Sequence, residues 1–120
     1  MKQIKQALEN AVSNTSGAFA AALFESNGIL VDVVDHKAGF HPETATMAYV
    51  EALRAARQAS LDAGGSGNVK NLLITTDQAQ MLLVPVDETY IVGIGLEPDG
   101  NLGQARLALR RLCKELVNLL

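Results

Sequence analysis

The sequence predicts an α+β sandwich, with an antiparallel sheet covered by helices on both faces. Three observations carry this. The first is segment order, which reads helix, strand, strand, helix, three strands, helix. The second is connector length. Two apolar runs meet at Asn27-Gly28, and later runs meet at Asp77-Gln78 and Asp87-Glu88. Connectors this tight force antiparallel pairing. The third is composition within the strands. A sheet with one wet face alternates apolar and polar residues, whereas several of these runs are apolar throughout, so both faces need cover.

The elements follow in order. In the first helix Ile4, Ala7, Leu8, Ala11 and Val12 form one apolar stripe at helical spacing, with Lys2, Lys5, Glu9 and Asn10 on the wet side. Ala18 to Phe24 is entirely apolar and reads as a central strand. Asn27-Gly28 is the dipeptide of a type I′ hairpin. Ile29 to Val34 returns as the second strand, and Asp32 and Asp35 mark it as an edge. The middle helix is expected from Pro42, a good first-turn residue, to Asp62. Ala45, Ala48, Ala52, Ala56 and Ala59 form a small-residue stripe expected to lie on the sheet. Met47, Val50, Arg54, Arg57 and Leu61 form the opposite side, mixed apolar and cationic. Gly64 to Gly67 is a flexible linker. Val69 to Thr76, Met81 to Val86 and Thr89 to Leu96 form a meander, with Pro85 expected at a strand end or bulge. Asn101 and Gln104 resemble a capping box, and Leu102, Ala105, Leu109, Leu112, Leu116 and Leu120 give the last helix its buried stripe. Arg106, Arg110 and Lys114 lie outside that stripe.

Residues 1–120 read as one domain. The net charge of −3 and the scattered basic residues argue against a nucleic-acid partner, and the absence of Trp leaves little for base stacking. No apolar run approaches the length of a membrane span, so no membrane insertion is expected. The N-terminus lacks the basic-then-apolar pattern of a signal peptide. Cys113 is the only cysteine, which excludes an intramolecular disulfide framework and fits a cytoplasmic location.

Catalytic chemistry finds little support. His36 and His41 flank a loop with Asp32 and Asp35 nearby, but the spacing matches no zinc pattern, and solvated loop residues are the plainer reading. Gly93, Gly95 and Gly100 resemble part of a phosphate loop. Gly93 and Gly95 fall inside a strand, however, where close approach of a covering helix explains them better. Cys113 reads as a buried small hydrophobe rather than a reactive thiol. No catalytic residue, metal or cofactor is expected, and the chain reads as a non-enzyme. The outer stripe of the middle helix is the favoured site, because Met and Arg are both enriched at interfaces. Scattered surface apolar residues are its bland counterpart.

The chain resembles the Roadblock family of dynein-light-chain-like proteins, as an MglB-like bacterial or archaeal member. The resemblance rests on Gly17-Ala18-Phe19-Ala20, Glu25-Ser26-Asn27-Gly28, the Ala-rich middle helix, Leu82-Leu83-Val84-Pro85-Val86 and Tyr90-Ile91-Val92-Gly93-Ile94. Asn101-Leu102-Gly103-Gln104-Ala105-Arg106 looks like the family's Leu-Gly-x-x-Arg entry to the last helix. The resemblance implies a profilin-like three-layer α/β/α sandwich. Its five-stranded sheet would run in order 2-1-5-4-3, with the middle helix on one face and the terminal helices on the other. It implies a homodimer in which third strands pair edge to edge, and the apolar Leu72-Leu73-Ile74 suits such an edge. It also implies a Ras-like small GTPase as partner, whose GTP hydrolysis the dimer would modulate. In MglB-type members this occurs without a donated arginine finger. The alternative is a structural adaptor subunit with no effect on a GTPase. A small-molecule sensor would need a hollow interior, against which the small residues of the middle helix argue.

Overall fold

A computed structural model describes residues 2–120. Helix α1 (Lys2–Ser13) precedes strands β1 (Ala18–Glu25) and β2 (Leu30–Asp35). A short 3-10 turn (Pro42–Thr44) leads into α2 (Thr46–Asp62). Strands β3 (Leu72–Thr75), β4 (Gln80–Pro85) and β5 (Tyr90–Leu96) follow, then α3 (Leu102–Leu119). The sheet is antiparallel throughout, in order β2-β1-β5-β4-β3. The inner strands β1 and β5 are buried along nearly their whole length, which is why their sequences do not alternate.

The two faces carry separate cores. On one, α1 and α3 pack with Ala21, Leu23, Leu82, Val92 and Ile94. The α1 stripe is buried as expected, from Ile4 to Val12. On α3, Ala108 joins the buried residues, whereas Leu120 is 42% exposed because the helix ends before it. On the other face, Val50 and Leu53 of α2 cover Ala22, Phe24, Met81, Leu83 and Ile91. Polar latches tie the layers: Lys5 of α1 pairs with Asp32 of β2 at 3.2 Å, and Glu9 lies 3.0 Å from His36 Nε2. Pro85 ends β4, where its missing N–H costs no ladder bond.

Several local expectations are corrected. The β1–β2 turn is not type I′, because that turn needs positive φ at both central residues and only Gly28 has it, at +89°. The Gly28 N–H donates to the Glu25 carbonyl and the Glu25 N–H to the Ile29 carbonyl, both at 2.8 Å. This is a three-residue hairpin loop with glycine at its bulge position, and the register slips again between Leu23 and Phe24. The Asn101 side chain caps α3 by accepting from the Gln104 N–H at 3.0 Å. Gln104 does not complete the box; its Oε1 accepts from the Ser16 N–H at 2.8 Å and so joins α3 to the start of β1. Gly93 and Gly95 make room for side chains rather than for a helix. A Cβ on Gly93 would lie 2.9 Å from Leu83 Cδ2, and one on Gly95 3.2 Å from Phe19 Cε1.

Candidate functional site

The predicted surface combines α2 with the edge strand β3. The burial of α2 does not follow the two stripes read from its sequence. Thr46, Val50 and Leu53 are its buried residues, with Tyr49, Ala52 and Ala56 half-buried. The contact line therefore draws on both predicted stripes. Ala48 and Ala59 are exposed, so the alanines are not the packing face. Val50 is 4% exposed and belongs to the core beneath α2, which removes it as an outer anchor. The alanines misled because the sheet is met by larger side chains, Val50 from the stripe read as the outer one and Leu53 beside it.

The remaining α2 residues separate into two groups. Met47, Arg54 and Leu61 recur every seven residues and share one flank, with Met47 and Leu61 about half exposed. They span about 21 Å of helix. Tyr49 projects to the other side, where its ring lies 6.2 Å from that of Phe24 on β1. Burial pushes the Tyr49 phenol above its usual value. Arg57 is partly buried and lines a recess of about 480 Å³ with Lys70, Asp87 and Glu88. Arg54 and Arg57 form no ion pair among the described residues.

The N-terminus of α2 is fixed by an unusual device. Ala45 offers no side-chain cap. Instead, Thr46 Oγ1 donates to the Gly28 carbonyl at 2.6 Å, seating the helix on the β1–β2 hairpin. Beside this joint Ile29 is 57% exposed and Val31 39% exposed. These apolar residues were not singled out from the sequence; they stand two apart and so share one strand face, but nothing in the run marks that face as the exposed one.

Strand β3 is shorter than its apolar run, covering Leu72–Thr75 rather than Val69–Thr76. It pairs only with β4, so its other edge is open. Leu72 and Ile74 pack beneath α2, and Leu73 packs on the terminal-helix side. All three are only partly buried. An apolar strand with unpaired backbone groups on one side is a template for association.

The loop histidines divide between partners. His36 meets Glu9, and His41 Nδ1 lies 3.3 Å from Glu43. Asp35, His41 and Glu43 bring one ligand atom each within 4.8 Å of one another, in a solvent-facing position that differs from the Asp32-Asp35-His36-His41 grouping drawn from sequence. Cys113 is half-buried rather than buried, and burial pushes its thiol above the usual value. This disfavours the reactive thiolate. No described helix is long and apolar enough to cross a membrane.

No family model and no curated protein matches the sequence. Solved structures do match. MglB from Myxococcus xanthus superposes with a TM-score of 0.85 at 13% identity, over 99% of this chain and 95% of that one. MglC from Myxococcus xanthus gives a TM-score of 0.70 at 24% identity, over 98% of both chains. A Roadblock/LC7 domain from Streptomyces avermitilis gives 0.80 at 13% identity, over 95% of this chain and 94% of that one. A profilin from Acanthamoeba castellanii shares the plan at a TM-score of 0.60. At these identities the likeness is one of fold.

Proposed function

We propose that this chain, which has the Roadblock/LC7 fold, is a non-enzymatic homodimeric regulator or scaffold for a Ras-like small GTPase. The observation that carries the reading is the open apolar edge at β3, in a molecule whose α2 also presents an exposed flank. Joining two copies at β3 would satisfy backbone groups and extend the sheet. The same two-fold would bring the α2 flanks together. An antiparallel helix pair centred on Arg54 sets Met47 of one copy against Leu61 of the other, the self-complementary contact that a two-fold requires.

The paired α2 helices would form the docking ridge. Met47 and Leu61 supply apolar contact, and Arg54 and Arg57 meet acidic groups of the GTPase. Val50 supports the ridge from beneath. The likeness to MglB, a protein also solved in a tetrameric arrangement, supports a self-associating reading. A cytoplasmic site of action goes with it. Co-purification from the native host tests the function: a Ras-like GTPase retained with one nucleotide over the other supports it. A stable complex of other proteins with no GTPase would favour a structural adaptor. The exposed Ile29 and Val31 on the opposite sheet edge are the observation on the adaptor's side.

A further inference from the structure

A second surface lies on the face of the sheet opposite α2. A groove of about 520 Å³ runs between α3 and the β3–β4 margin. Its banks are basic: Arg106, Arg110 and Lys114 on α3, and Lys70 across from them. Its floor includes Val84 and Pro85, and no acidic residue lines it. None of the four cations forms an ion pair among the described residues. Arg106 Nη1 donates to Asn71 Oδ1 at 2.9 Å, which pins that bank to the segment before β3. Four unpaired cations gathered on a chain of net charge −3 form a local field opposite in sign to the whole.

We propose that this groove binds an acidic, extended polypeptide segment of a partner protein. Arg106, Arg110 and Lys114 recur every four residues and stand about 6 Å apart along α3. Alternate residues of an extended chain are spaced about 6.7 Å apart, so carboxylates at every second position match the cations. The intervening side chains then face away from the basic bank, where the apolar floor receives small aliphatic groups. Nucleic acid fits less well. The groove has no aromatic lining for base stacking, and the chain's net charge repels a polyanion beyond the groove. A membrane surface fits less well still, since the cations line a recess. This site does not rest on the GTPase reading, because three of its four cations stand on α3, across the sheet from α2; only Lys70 is shared with the recess that Arg57 lines.

The test is fluorescence anisotropy of a labelled short peptide of alternating Glu and Val, titrated with the full chain. Saturable binding that weakens with salt is expected, with no binding of the matching Lys-Val peptide. Arg106→Glu with Arg110→Glu should weaken it by about tenfold or more, while Arg54→Glu leaves it unchanged. Should the double variant fail to fold by circular dichroism, Lys114→Glu replaces it. Cys113 lines the same groove, so the peptide should slow its labelling by a maleimide. Absence of saturable binding would overturn the proposal. So would undiminished affinity in a folded variant, unprotected Cys113, or tighter binding of oligothymidylate or phosphatidylserine vesicles than of the peptide.

Discussion

Single residues set several of the tightest constraints in this fold. Gly17 has φ of +84°, and a Cβ there would lie 2.5 Å from Gly100 Cα. The Glu97 N–H also donates to the Gly17 carbonyl at 2.8 Å. Gly17→Ala is therefore expected to destabilise the chain by at least about 2 kcal/mol, from left-handed strain plus a backbone clash. Urea unfolding measures it. Tyr49 makes a pH-dependent contribution. Its phenol is held above 10.0 because burial disfavours the phenolate. The folded state thus binds the proton more tightly than the unfolded state. Stability from this group is fully present below its unfolded value and is lost as pH rises through the folded one. Tyr49→Phe should lose less stability than wild type as pH rises past 10.0. Equal losses would mean that other groups dominate the alkaline limb. Residue-scale features were the least legible from sequence. The Gln104 contact with Ser16 and the Thr46 contact with Gly28 join residues 88 and 18 positions apart, which no local pattern reports.

At the scale of elements, legibility followed local physics. The α1 stripe was read without error because a helix on one flat neighbour buries one arc. The inner strands were legible from unbroken apolarity. Helix α2 was misread because it is anchored by few side chains, so two weak stripes competed and the true contact line drew on both. The structure moves one residue of the candidate site, Val50, into the core; Met47, Arg54 and Leu61 share a flank, and Arg57 lines a recess. The basic groove beside α3 was invisible because Lys70 joins Arg106 and Arg110 only through the fold. The element that carries the dimer proposal is β3. Leu73→Pro should weaken self-association strongly, whereas Val31→Pro should not. Val31 sits on the opposite edge strand at the register slip, where no partner in β1 faces it. Proline removes a backbone donor in both, but Leu73 also pairs with Leu82 of β4, so the comparison counts only where circular dichroism shows both variants folded. Sedimentation of both variants, with circular dichroism, decides. Equal effects would move the interface off β3.

The whole molecule presents two open sheet edges, an exposed helix flank on one face and a basic groove on the other. The fold class, strand order and division of helices between faces were legible, since they follow from segment order, connector length and the resemblance in motif order. Partner identity was not, because docking chemistry is spread over surface residues with no spacing rule. The central claim is that the α2 face of a dimer receives a Ras-like GTPase. The direct measurement is titration of the co-purified GTPase, loaded with GTP or GDP, against wild type and an Arg54→Glu, Arg57→Glu double variant. Sedimentation of the same samples reports oligomeric state. Nucleotide-dependent binding to the dimeric wild type is expected, weakened by about tenfold or more in the folded double variant through like-charge repulsion. Unchanged affinity in a folded, dimeric double variant would contradict it.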